Sequence, residues 1–173
     1  FAIFCGMSVA PIAVGNTVVA KPAPDTPRMG SIFAEVFEEV GLPAGVFNFV
    51  TGDDIEVGEN LAKHPNTRFI SFTGSRAVGL HLNKIAAETH ENQRFLKRMV
   101  CELGGKNATV VDKDADLESA ATEIIKGAFG FQGQKCSASS RVIAHQEIYD
   151  ELLKKVTDKA KALSVGDAKD NHI

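Results

Sequence analysis

Two rhythms of apolar and polar residues alternate along this chain. Short runs rich in Val, Ile and Phe have the length of strands. Between them lie longer stretches in which apolar residues return every three or four positions, the helical repeat. The opening stretch FAIFCGMSVAPIAV (1–14) reads as an apolar helix and NTVVAK (16–21) as a strand. DTPRMGSIFAEVFEEVG then predicts a helix, with Asp25 or Thr26 as N-cap, Pro27 in its first turn and Gly41 as its stop. Further strands are expected at 45–52, 68–74, 96–105, 107–112 and 140–145. Helices are expected from Ile55 to Lys63, from Ser75 to Thr89, over ADLESAATEIIKGAF (115–129) and over 147–163. This repeated strand–helix order predicts an α/β fold with a largely parallel sheet. In the last helix Ile148, Leu152, Val156, Ala160 and Leu163 share one side, predicting a surface helix packed on its own domain with its lysines solvated.

Composition narrows the function classes. A length of 173 residues holds one ordinary domain, or one and part of another. With 24% charged residues and a net charge of −3, nothing points to nucleic acid or an anionic membrane as partner. Residues 1–14 are too few to span a bilayer, are interrupted by Gly6 and Pro11, and lack a basic leader. The start at Phe1 and the polar run VGDAKDNHI at the other end read as the limits of a piece of something longer. Cys5, Cys101 and Cys136 form no CxxC pair, so a reducing compartment is expected and no disulfide framework or metal site is. Cys5 and Cys101 stand in apolar surroundings and are expected in the core. None of the five histidines shows a pairing suited to acid–base work, and His145 and His172 read as peripheral.

Cys136 is different. In FGFQGQKCSASSR it sits among glycine, serine and lysine, residues that expose backbone amides, and the Lys135 ammonium beside it favours a thiolate. Three other stretches carry candidate chemistry. FTGSRAVG (72–79) places Gly74 and Ser75 between a strand and a helix, where free amides and the helix dipole attract anions. Its spacing is not G-x-G-x-x-G, and a plain strand-to-helix turn accounts for it equally well. VAKPAPDTP puts Lys21 at a strand end, suited to a ribose or phosphate or simply to solvent. VCELGGK sets Glu102 at the end of a strand; partial burial there would raise its pKa into the range of a general base, and the plain alternative is a loop-edge glutamate.

Taken together, GNTVVAKPA, FTGS, ELGGK and GQKCSA in this order resemble the aldehyde dehydrogenase superfamily over essentially the whole chain. AFGFQGQKCSASSRVI looks most like the family's 1-pyrroline-5-carboxylate dehydrogenase branch, which oxidises glutamate semialdehyde to glutamate in proline catabolism. The resemblance implies a Rossmann-like NAD-binding domain over 1–104, with the start of an α/β catalytic domain over 105–173. It assigns Cys136 as nucleophile and Glu102 as the base that activates water, and it gives Ser137 the substrate's carboxylate end. It carries the cofactor site onto Lys21, Gly58, Phe72, Thr73, Gly74, Ser75, Val78 and Leu103. Many NAD-preferring members carry Glu three residues after the lysine, where this chain has Pro24. NAD is nevertheless expected over NADP, because no basic residue flanks Lys21 to receive a 2′-phosphate.

The family's oxyanion asparagine would precede Phe1, and its nicotinamide-ribose motif and oligomerisation strands would follow Ile173. The resemblance thus implies a homo-oligomeric cytoplasmic or mitochondrial-matrix parent, a small aldehyde as partner, no nucleic acid or membrane, and little turnover by this stretch alone. The competing readings are another semialdehyde or general aldehyde dehydrogenase, and a non-catalytic nucleotide-binding fragment.

Overall fold

The computed structural model describes residues 1–167 and Lys169; His172 lies outside the described residues. The chain divides into two units, Phe1–Leu103 and the residues from Gly104 onward. Helices alternate with strands in both, and every strand pair is parallel, so the fold is α/β as the pattern predicts.

In the first unit α1 spans Ala2–Ala13, β1 Val18–Ala20, α2 Pro27–Glu39 and β2 Phe47–Phe49. Helix α1 closes as the local sequence requires. Gly15 takes the left-handed conformation (φ 82°), its N–H donates to the Ile12 carbonyl, and the Asn16 N–H donates to the Pro11 carbonyl. Gly41 (φ 73°) ends α2 in the same manner, with the Leu42 N–H reaching the Phe37 carbonyl. Thr26 holds the N-cap position of α2 without a side-chain bond, leaving Pro27 in the first turn to start the helix. β1 and β2 pair in parallel. The rings of Phe4, Phe33, Phe37 and Phe47 pack mostly edge-on or tilted, with centroids 4.7–6.5 Å apart.

The expected helix 55–63 is a π-turn, Asp54–Glu59, running into the single α-turn α3, Asn60–Lys63. Asp53 starts it by accepting from the Ile55 and Glu56 N–H groups at 2.7 and 3.3 Å. At its far end Lys97 Nζ donates to the Ala62 and Lys63 carbonyls, at 2.6 and 2.8 Å, and burial lowers the pKa of that ammonium. β3 (Phe69–Thr73) pairs in parallel with β4 (Arg98–Glu102), and α4 (Arg76–Ala87) connects them. Ala62, Leu82 and Ile85 form a core closed by Ile70, Phe72 and Met99. α4 lies close against β4 because Gly79 has no side chain: a Cβ there would meet Leu103 Cδ2 at 2.7 Å.

In the second unit β5 (Asn107–Val111) and β6 (Ser139–Ala144) pair in parallel across α5 (Leu117–Phe129). A 3-10 turn, Gln146–Ile148, leads into α6 (Tyr149–Lys161), and His145 Nδ1 accepts the Glu147 N–H at its start. Asp116 caps α5 by accepting from the Glu118 and Ser119 N–H groups. Val111, Ala121, Ile124, Ile148 and Leu152 form the core.

Four expectations are corrected. Cys5 and Cys101 are half-buried rather than core; α1 buries only Ser8, and β4 has a strand on one side only. Leu163 is exposed because α6 stops at Lys161, which takes Leu163 out of the helical phase. The α6 lysines are not all solvated, since Lys159 and Lys155 both pair with Glu118 on α5, and Lys159 first, then Lys155, holds its carboxyl below the usual range. Finally, one histidine is paired: His81 Nε2 on α4 lies 2.7 Å from Glu59 Oε1, while Lys63 Nζ lies 2.7 Å from Glu59 Oε2. Among the described residues no helix is long and apolar enough to cross a membrane.

The Glu59 cluster gives a pH prediction. Lys63 first, then His81, holds the Glu59 carboxyl below its ordinary 4.5. A carboxyl lowered on folding contributes stability above its unfolded pKa and loses it as pH falls through the folded value. Urea midpoints of the whole protein should therefore fall more steeply from about pH 4.5 downward than those of Glu59→Gln, and the two curves should converge in acid. A gap that stays constant with pH would exclude this origin.

Candidate active site

The site residues expected from sequence fall into three groups. The first lies where β1 ends. The Lys21 side chain is 15% exposed, donates to the Pro22 carbonyl at 2.9 Å and is ion-paired with Asp54. It runs past Gly58, whose missing Cβ would stand 3.6 Å from Lys21 Cε. Lys21 and Gly58 are thus brought together, and the π-turn that carries Gly58 also supplies the counter-ion. Asp54 gave no sequence signal, because it meets Lys21 only through the parallel pairing of β1 and β2 and the turn that follows.

The second group gathers at the carboxyl ends of β3 and β4. Thr73 is in register with Glu102 and Phe72 with Cys101, and the Gly74 N–H extends the ladder by donating to the Glu102 carbonyl at 3.1 Å. The Phe72 ring turns over Gly74, where a Cβ would lie 2.5 Å from Cζ. Thr73 Oγ1 donates to Met7 Sδ at 2.9 Å. Ser75 caps α4, its Oγ accepting the Val78 N–H at 3.3 Å while its carbonyl accepts the Gly79 N–H. Among the described residues this leaves the Arg76 and Ala77 N–H groups as the open donors of the helix end. Leu103 packs against Gly79. Glu102 itself is exposed, which fits the loop-edge alternative rather than partial burial. The strand period explains this: Met99 and Cys101 face inward, whereas Arg98, Val100 and Glu102 face solvent.

The third group belongs to the second unit. After α5 the chain passes through three successive left-handed residues, Phe131, Gln132 and Gly133 (φ 55°, 54° and 69°). It then makes a turn in which the Ala138 N–H donates to the Lys135 carbonyl at 3.1 Å. Cys136 and Ser137 are the central residues of that turn and both are exposed. Cys136 thus carries a free, exposed thiol on a tight turn between a helix and a strand. Asn107 Nδ2 donates to the Cys136 carbonyl at 2.7 Å and to the Ala138 carbonyl at 3.3 Å. Sequence reasoning missed this residue, since nothing in ELGGKNATVVD marks an asparagine whose partners come about thirty positions later.

The aldehyde dehydrogenase family matches the chain over residues 1–173. A 1-pyrroline-5-carboxylate dehydrogenase from Bacillus cytotoxicus is 54% identical over 166 residues, which are 96% of this chain and 32% of that protein. A solved structure of 1-pyrroline-5-carboxylate dehydrogenase from Thermus with bound NAD superposes with a TM-score of 0.89 at 50% identity, covering 95% of this chain and 32% of that one. The aldehyde dehydrogenase structure from Bartonella henselae gives a TM-score of 0.76 at 40% identity, covering 87% of this chain and 30% of that one. The chain thus spans about a third of the length of the curated relatives it matches. By sequence and by fold, the chain belongs to the aldehyde dehydrogenase family.

Proposed function

We propose that the protein oxidises an aldehyde to a carboxylic acid with NAD, through a thioester on Cys136. The substrate we assign is L-glutamate 5-semialdehyde, in equilibrium with 1-pyrroline-5-carboxylate, a step of proline breakdown. One observation carries the reading: the free thiol of Cys136 stands exposed on a tight turn in a chain whose relatives are named for this oxidation. On this reading 1–104 is part of an NAD-binding domain and 105–173 the beginning of the catalytic domain. The parent is a homo-oligomer. It works in a reducing compartment, the cytoplasm or the mitochondrial matrix.

The residues of the first unit suit a dinucleotide. Lys21 has three donors and spends two, on Pro22 and Asp54, so one remains for a ribose hydroxyl. Gly58 keeps the neighbouring surface open. The Arg76 and Ala77 N–H groups, next to Gly74 and at the positive end of α4, suit a pyrophosphate. By the family resemblance Phe72, Thr73, Ser75 and Val78 would stand around the pyrophosphate and nicotinamide, and Leu103 would hold the nicotinamide amide. NAD, when bound, supplies the acceptor for the aldehyde's hydride.

The remaining steps belong to the chain's own groups. The Cys136 thiolate attacks the aldehyde carbon and gives a thiohemiacetal whose oxyanion needs hydrogen-bond donors. Once the hydride has left, Cys136 holds the acyl group as a thioester, whose carbonyl is more electrophilic than an amide's. Glu102 takes a proton from water as that water attacks the thioester. The acid leaves and the thiolate is restored. Ser137, beside the nucleophile on the same turn, holds the far carboxylate of the substrate.

The test compares NADH formation by the whole protein with glutamate semialdehyde, succinate semialdehyde and acetaldehyde. A site that hydrogen-bonds the substrate's polar end should favour glutamate semialdehyde over acetaldehyde in kcat/KM by about 100-fold or more. Equal or higher values with acetaldehyde would remove the substrate assignment and leave the aldehyde chemistry standing.

A further inference from the structure

Resting on the reading of Cys136 as nucleophile, we infer that Asn107 is a positioning residue: its side-chain amide holds the backbone of the Cys136 turn and so fixes where the thiol points. In a tight turn the carbonyl of the second residue has no partner within the turn itself. For Cys136 that carbonyl is taken by Asn107 Nδ2 at 2.7 Å, and the same nitrogen reaches the Ala138 carbonyl at 3.3 Å. Ser137 is thereby bracketed by two anchored carbonyls. Both partners are acceptors, so the amide must turn its NH2 toward them and no flipped orientation serves.

Three further features bind the same two stretches of chain. The Gly105 backbone passes so close that a Cβ there would lie 2.4 Å from the Cys136 carbonyl oxygen and 3.0 Å from Asn107 Nδ2. The β5–β6 register slips at this point, pairing Asn107 with Ser139 but Ala108 with Arg141, so Ser140 is the extra residue of a bulge. Such bulges re-aim the chain beside them. Ser140 Oγ donates to the Asn107 carbonyl at 3.3 Å, and Arg141 Nη2 donates to the Lys106 carbonyl at 2.7 Å. On its other side the turn is entered through the three left-handed residues Phe131–Gly133, which hold no ladder bonds. An exposed turn with strained backbone on one side takes its orientation from the side that is tied down, and Asn107 is the side chain that ties the carbonyl of Cys136 itself.

The whole protein with Asn107→Asp tests this, because aspartate keeps the shape and replaces the donor with an acceptor facing two carbonyls. The expected result is a fall in kcat of about 10–100-fold, the scale of a misplaced reacting group, with KM for NAD and thermal stability little changed. Alkylation of Cys136 by iodoacetamide, followed on its own peptide by mass spectrometry across pH, should slow and change its pH profile. Asn107→Ser, which keeps one donor, should fall between aspartate and the native residue, and it carries the comparison if Asn107→Asp does not fold. Native kcat and native alkylation in these variants, with oxidation abolished in Cys136→Ala, would overturn the positioning role alone. Oxidation that survives Cys136→Ala would overturn the nucleophile reading and this inference with it.

Discussion

Cys136→Ala in the whole protein is expected to abolish aldehyde oxidation, lowering kcat by roughly 10⁴- to 10⁶-fold, the scale seen when a covalent nucleophile is removed. The reason is stoichiometric. Without sulfur there is no thiohemiacetal from which hydride can depart, and an aldehyde in water offers only its hydrate. NAD affinity should be retained, because the residues assigned to the dinucleotide lie in the first unit and Cys136 in the second. The pair of measurements therefore distinguishes loss of chemistry from loss of fold. The variant should bind NAD with native affinity by fluorescence titration while forming no NADH. Residual turnover above about one part in a hundred would be far too much for a route without the nucleophile and would move the chemistry to another group.

Glu102→Gln should separate the two halves of the reaction. Amide and carboxylate share a shape, but the amide does not accept a proton from water, so hydrolysis of the thioester should slow by about 10²- to 10⁴-fold. Formation of the thioester does not draw on this base. Rapid mixing should then show a burst of NADH equal to the concentration of active sites, followed by a slow steady phase. Hydroxylamine, a nucleophile that needs no base, should cleave the stalled thioester and restore turnover. A variant without the burst would place Glu102 before acylation, and native steady turnover would take away its role. Glu102 is exposed at the end of β4, so burial does not enter this expectation.

The sequence patterns fixed some features better than others, and the difference is physical. Helix ends were legible where one residue type has one use: Gly41, expected as the stop of α2, adopts a left-handed conformation that other residues resist. Strand lengths were less so. The stretches 45–52 and 96–105 shrink to Phe47–Phe49 and Arg98–Glu102, since a strand extends only as far as its partner and the partner's register is not written locally. The exposed thiol of Cys136 was legible because small polar residues surround it. Burial of Cys5 and Cys101 was misjudged because an apolar neighbourhood in sequence does not say how many elements close around a side chain. The Lys21–Asp54, Glu59–His81 and Asn107–Cys136 contacts stayed hidden, each joining residues 22 or more positions apart through the fold alone.

The uniformly parallel pairing has a consequence for how the chain is made. Each ladder joins residues roughly thirty positions apart, and among the described residues no hairpin is available as a local nucleus. At about 5–20 residues per second on a ribosome, the first strand of each pair must wait several seconds, with its edge unsatisfied, for its mate to emerge. The helix made between the two strands of each pair, α2, α4 or α5, is the cover that emerges while the mate is awaited. Slowing translation just after any of them should therefore raise aggregation of the nascent protein more than slowing it elsewhere.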